Sequence, residues 1–339
     1  MADRTVRQQA LVVADYLRRS KFTGIRSTAG YHNLPNNFIG LALRDEEHQT
    51  LPLVLVAIYC CVAQRLGLDA QPCGFPLHVH AIIKAPKDQD LDGRTTGIDT
   101  ESSFMYMDPW HSSVETPKEE LIARLRTLKA EPSKFQALLA PSSTAEIVRR
   151  TARNIMTSVK MLSQTVGNGG HLNLSTAYPD ANGAFYGALW ALLLLPEGNS
   201  NHSQSQQGRY VPYILHHVEQ DFPLDLGLVE KIAALHFRET DYYGQFLGRV
   251  QSLRTEDDSP KLRKDRTSKT RDNVRYRIGQ VFRHKRYNYN AVITGWDVEC
   301  EAGEDWIAQM NVRSLPRGQH QAFYHVMYVV HPSSLDVNC

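Results

Sequence analysis

Paired cysteines, long apolar runs and a charge imbalance are all missing from this sequence. The five cysteines (Cys60, Cys61, Cys73, Cys300 and Cys339) are an odd, scattered set. They form no CxxC and no Cys–His spacing suited to zinc. A disulfide framework is thereby excluded, and reduced thiols of the cytoplasm or nucleus are the natural reading. No apolar stretch approaches the ~18 residues that span a bilayer; the longest, ALWALLLLP, stops at Pro196. The N-terminal MADRTVRQQALVVADYLRRS lacks the apolar core of a signal peptide, so a soluble intracellular protein with no membrane partner is expected. Basic and acidic residues number 38 and 36, a net charge of +2. Bulk electrostatics therefore point to no nucleic-acid partner, and only local clusters could engage one. What is present is ordinary for a globular chain: 42% hydrophobic residues in 339, enough for two or three domains that fold without metals or disulfides.

Periodicity places the elements. Val6, Ala10, Val13 and Leu17 recur at helical spacing in an amphipathic segment. After a Gly- and Asn-rich loop ending in YHNLPNNFIG, Pro52 opens a helix, LVLVAIYCCVAQRLGL, that is apolar nearly all round and so belongs in a core; Gly67 ends it. QPCGFPLHVHAIIK reads as one strand, and SFMYMDPW as a second beyond a polar loop. Thr116-Pro117-Lys118-Glu119 predicts a capping box, and Ser143 with Glu146 predicts another at the start of EIVRRTARNIMTSVKML. AFYGALWALLLL and YVPYILHHVEQ read as helices separated by a polar loop, GNSNHSQSQQG. RTEDDSPKLRKDRTSKTRDN, residues 254–273, has almost nothing to bury and marks the best domain boundary. Beyond it YRIGQVFRHKRYNYNAVITGWDVEC and FYHVMYVV alternate as strands do.

The order helix, His, Asp resembles the transglutaminase-like fold, in its SirB-type branch. The residues that carry this are Tyr31, Asn33 to Asn37, Leu51-Pro52-Leu53, RLGL at Arg65–Leu68, FPLH at Phe75–His78, Met107-Asp108-Pro109-Trp110 and EIVRRTARNI. In catalytic members a Cys at the helix N-terminus is the nucleophile, activated by the helix dipole and a His that an Asp orients. Here that position falls at or beside Pro52, which has no nucleophile. Cys60 and Cys61 lie over two turns further on and read as small buried hydrophobes. His78 and Asp108 are the candidate remnants of a degenerate site, and no catalytic activity is expected. His80 is a second candidate, since HVH would put both imidazoles on one face of a strand. That pair could also ligate a metal, but no third ligand stands at a fixed offset, so no metal or cofactor is expected. The plainer alternative is that Asp108 caps the turn before Trp110 and His78 is a satisfied core residue.

The C-terminal block is similar to YccV-like (hemimethylated DNA-binding) domains. The pieces are Ile278-Gly279-Gln280, Arg283-His284-Lys285-Arg286-Tyr287, Gly295-Trp296-Asp297, Trp306, Leu315-Pro316-Arg317-Gly318 and Phe323-Tyr324-His325-Val326. Gly279 and Gly295 would permit tight strand geometry, and Trp296, Trp306, Phe323 and Tyr324 would fill a small core. Arg283, Lys285, Arg286 and Tyr287 are the DNA-binding candidates, through phosphate contact and base stacking; the alternative is a solvated hairpin tip. The acidic CEAGEDW, expected to lie opposite, breaks up any basic face, so DNA binding would be weak. The closing strand usual for the family is not evident, which would leave an open sheet edge.

The expected fold class is α+β: a helical transglutaminase-like region with a small sheet (1–165), a helical extension (166–253), a flexible linker (254–273) and a small SH3-like β-barrel (274–332). This pairing resembles F-box-only proteins, substrate receptors of Skp1–cullin–F-box ubiquitin ligases. The first thirty residues are too short for an F-box, so the chain is expected to be either an adaptor fragment whose F-box lies upstream or a product without that ligase-docking module. The resemblance implies a non-catalytic adaptor that recruits a protein client. DNA binding through the YccV-like domain is the alternative, and residual cysteine-type transglutaminase-like chemistry a third.

Overall fold

The computed structural model describes residues 4–25, 30–96, 103–167, 178–196, 206–259, 274–285 and 289–328. The chain divides into two compact units, Met1–Asp258 and Ser259–Cys339.

The first unit is built around a four-stranded antiparallel sheet in the order β1-β2-β3-β4. Helix α1 (Val6–Arg19) is capped by the Thr5 and Gln8 side chains and buries Ala10, Val13, Ala14 and Leu17, the stripe its periodicity predicts. A short α2 (Ile39–Arg44) leads to α3 (Pro52–Arg65), whose buried residues lie on all sides. Such a helix is stable only inside a core. Gly67 closes it in the left-handed region at φ +89°, where other residues are strained.

QPCGFPLHVHAIIK is two strands rather than one. β1 (Asp69–Pro72) and β2 (Ala81–Lys84) pair antiparallel, and residues 73–80 form the loop between them. Pro72 and Pro76 lack the N–H a ladder requires, and Leu77 turns the chain at φ +63°. β3 (Phe104–Met107) pairs with β2, and β4 (Glu115–Thr116) with β3. Alternation sorts the sheet residues: Ala81, Ile83, Met105 and Met107 pack with α1 and α3, whereas Ile82 and Tyr106 face Leu121, Leu125 and Leu139. Those leucines belong to α4 (Lys118–Thr127) and α5 (Phe135–Leu139). The Thr116 capping box does not form. Thr116 is spent in the ladder opposite Tyr106, and Pro117 caps α4 without a side-chain bond.

α6 (Thr144–Gly167) starts where Ser143 predicts, its Oγ accepting from Glu146 N at 3.2 Å. It packs Ala152, Ile155 and Val159 against α7 (Ala181–Leu194). α8 (Val211–Gln220), a helical stretch over 226–236 and α9 (Tyr242–Asp258) close a second cluster around Phe237 and Phe246. Residues 254–258, expected in the linker, thus continue α9; residues 260–273 lie outside the described residues.

The second unit is a three-stranded antiparallel sheet, β5 (Val281–Arg283), β6 (Asn290–Asp297) and β7 (Phe323–Tyr328), with a short α10 (Glu304–Gln309). It provides three strands of the expected small barrel, and no closure is seen among the described residues. The register shifts between Ile293 and Gly295. An added Cβ at Gly295 would sit 3.3 Å from the His325 ring, a close approach that the ring would have to yield to. The core is smaller and less aromatic than expected. Ala291, Ile293, Trp296, Ile307 and Val312 are buried, Phe323 and Tyr324 are half-buried, and Trp306 is 43% exposed because Ile307 takes the inward position on α10.

Candidate functional site

Ala81 and Met107 are partners across β2 and β3, so the residues just beyond them, His80 and Asp108, meet at the same end of the sheet. The 73–80 loop brings His78 to that point too. His78 Nε2 lies 2.9 Å from Asp108 Oδ1. His111 Nδ1 lies 2.6 Å from Oδ2, and the His111 backbone N–H donates to Oδ1 at 3.3 Å. Asp108 therefore does both things weighed for it: it holds a histidine, and it caps the turn before Trp110. His78 is 22% exposed and is no core residue.

His80 does not share a strand face with His78, since both precede β2 in the loop. It is fully buried, its ring edge-on to Phe75 with centroids 5.2 Å apart, and its Nε2 is 3.9 Å from Asp108 Oδ2. Burial lowers its pKa to about 4 despite the nearby carboxylate. Burial alone would raise the Asp108 carboxyl, but the hydrogen bonds and charge of His78, His111 and His80 outweigh it and hold the carboxyl well below the usual range. The third metal donor that no sequence offset revealed is Asp108: one ligand atom each from His78, His80 and Asp108 lie within 4.8 Å of one another.

Trp110 ties this cluster to the start of α3. Its Nε1–H donates to Thr50 O at 3.0 Å, and its ring lies edge-on to His78 at 5.8 Å. Arg18 of α1 fixes the other side, donating to the carbonyls of Pro109 and Trp110 at 3.2 Å each. Sequence reading missed Arg18 and Thr50, whose roles depend wholly on tertiary contact. His111 carried a signal, standing one turn after Asp108. At the helix start stands the buried Pro52. Cys60 lies eight residues along, about 12 Å of helix, and burial pushes its thiol well up. Cys61 is exposed, not buried as expected.

In the second unit Arg283 and Lys285 are exposed, while Arg286 and Tyr287 lie outside the described residues. Arg283, His284 and Lys285 line a cavity of about 500 Å³ with Tyr276, Phe282, Ile293 and Tyr324. Glu301 of the acidic stretch and Asp297 line a separate cavity of about 440 Å³.

Comparison with known proteins accords with this layout. Residues 1–153 match the transglutaminase-like superfamily, and residues 274–337 match the hemimethylated DNA-binding protein YccV-like family. The two matches thus put a transglutaminase-like stretch before the further helices and a YccV-like stretch after them. The chain is similar to curated F-box only proteins. It is 27% identical over 310 residues to F-box only protein 21 of Pongo abelii, covering 91% of this chain and 44% of that protein. It is 28% identical over 316 residues to that of Mus musculus (91% and 45%), and 28% over 318 residues to that of Homo sapiens (91% and 45%). The chain therefore spans less than half the length of these relatives. No solved structure gives a significant match. Among the described residues no helix is long and apolar enough to cross a membrane.

Proposed function

We propose that this chain is the non-catalytic, client-recognising part of an F-box-type ubiquitin ligase receptor. The observation that carries the reading is the similarity to F-box only protein 21 along 91% of the chain. The family matches assign residues 1–153 and 274–337 to other domains, so client recognition rather than Skp1 docking is the role we give them. Pro52 at the start of α3 supports the absence of chemistry. A thiol there would sit in the helix dipole, whereas proline supplies no nucleophile. Affinity capture with the tagged chain, with and without Skp1 and read by mass spectrometry, tests this. Specific protein clients should be retained whether or not Skp1 is present. Direct Skp1 binding with no client enrichment would overturn it.

The cavity walled by Arg283, Lys285 and aromatic rings favours one further reading, DNA contact through the second domain. With no base-reading helix, contact would be mainly to phosphate, with a log–log salt slope of about −2 to −3 for three neutralised phosphates. Fluorescence anisotropy should show weak binding that R283A/K285A/R286A abolishes for every sequence alike. Tight binding that survives both high salt and this variant would refute the assignment.

A further inference from the structure

Beside Asp108 one buried nitrogen has no hydrogen-bond partner among the described residues, Nε2 of His80. The other ring nitrogen defines its state. Nδ1 lies 2.9 Å from the His78 carbonyl oxygen; a carbonyl can only accept, so Nδ1 carries a proton and donates it. A second proton on Nε2 would need an acceptor, and Asp108 Oδ2 at 3.9 Å is out of hydrogen-bond reach. With one proton on the ring, Nε2 presents a lone pair toward a carboxylate, two acceptors facing each other in a buried place. A cation between them resolves the conflict, and His78 Nε2, 2.9 Å from Oδ1, completes the donors.

We propose that His78, His80 and Asp108 form a binding site for a borderline transition-metal dication of the zinc type, leaving a fourth position for water or another ligand. Two imidazole nitrogens and one carboxylate oxygen are a donor set suited to such an ion. Zn–N and Zn–O bonds of about 2.0–2.2 Å put tetrahedral ligand atoms roughly 3.3–3.5 Å apart, and with one ligand atom from each residue the three donors already lie within 4.8 Å of one another, so the set is within reach of that geometry. The outer contacts that orient metal ligands are in place: His80 Nδ1 donates to a backbone carbonyl, and His111 Nδ1 lies 2.6 Å from Asp108 Oδ2. His78, the partly exposed member, gives the ion its entry. On binding it exchanges its bond to Oδ1 for coordination, and the proton on Nε2 moves to Nδ1 or leaves to solvent. The site is independent of ubiquitin-ligase membership, so each reading can fail alone.

The test uses the full chain, stripped with a chelator and titrated with Zn²⁺ against a chromogenic competitor. Co²⁺ titration alongside reports ligand geometry from its visible d–d bands. One equivalent should bind tightly. H80F, which keeps an aromatic ring, and H80Q should each weaken binding roughly 100-fold or more while retaining the wild-type circular dichroism spectrum. The chain has 14 histidines, so H325Q serves as a control and should bind as wild type does. Wild-type affinity in both His80 variants would overturn the proposal, and so would no Zn²⁺ binding by the folded wild type, the result expected if a water merely bridges Nε2 and Oδ2. Should neither His80 variant fold, D108N decides: an unchanged Co²⁺ spectrum overturns the site, and a lost or altered one supports it.

Discussion

Arg149 on α6 is fully buried, and its guanidinium ends against the last turn of α7. Its Nη1 donates to Leu192 O at 3.2 Å and Leu195 O at 2.7 Å, and Gln207 Nε2 also donates to Leu195 O. The final carbonyls of a helix have no partner within it and carry the negative end of its dipole, so a cation there is well placed. Replacing Arg149 by Ala removes the aliphatic stem, about 2 kcal/mol of buried methylene. It also leaves Leu192 O buried without that donor, about 1–3 kcal/mol. Relief of the buried charge offsets part of this. Before that offset the terms sum to about 3–5 kcal/mol for R149A and about 1–3 kcal/mol for R149M, which refills the space but donates nothing, so the net losses fall below these ceilings while keeping their order. Urea denaturation with unchanged m-values would measure both, and the difference between them isolates the stem packing. If R149M is as stable as the wild type or more so, the carbonyl bonds do not offset the desolvation of the guanidinium, and the capping argument fails.

Thiol labelling should reach the exposed Cys61 in the folded protein while Cys60 and Cys73 react only on unfolding, since both are buried and burial pushes Cys73 up to about 11 and Cys60 further. Rapid labelling at neutral pH that H78A abolishes would contradict the non-catalytic reading. G24A should cost about 2–4 kcal/mol and shift tryptophan fluorescence, because Gly24 stands at φ +76° and an added Cβ would fall 2.2 Å from Trp110 Nε1; a near-wild-type melting curve would refute this. Limited trypsin digestion should cut first at Lys261, Arg263 or Lys264 and release a C-terminal fragment, the outcome expected from a charged composition with almost no apolar side chains. First cuts elsewhere would show it packed against a domain.

The sequence by itself determined what depends on local pattern: the stripe of α1, the all-round apolar α3 opened by Pro52 and closed by Gly67, Ser143 at the start of α6, and the two matched domains. It also paired His78 with Asp108, because the order of motifs carried that information. Where two local signals competed, pattern misled. Apolar residues on both sides of 73–80 read as one strand, and Thr116 read as a cap although the β3–β4 ladder had a stronger use for it. Tertiary structure alone decided the rest. A four-residue antiparallel register sets His80 against Asp108, 28 positions away. Burial then leaves His80 Nε2 without a partner among the described residues, and Trp110 and Arg18 bind the corner to the helices beneath. Hydrogen bonds and desolvation act over a few ångströms in space, and chain separation carries no trace of them until the sheet has formed.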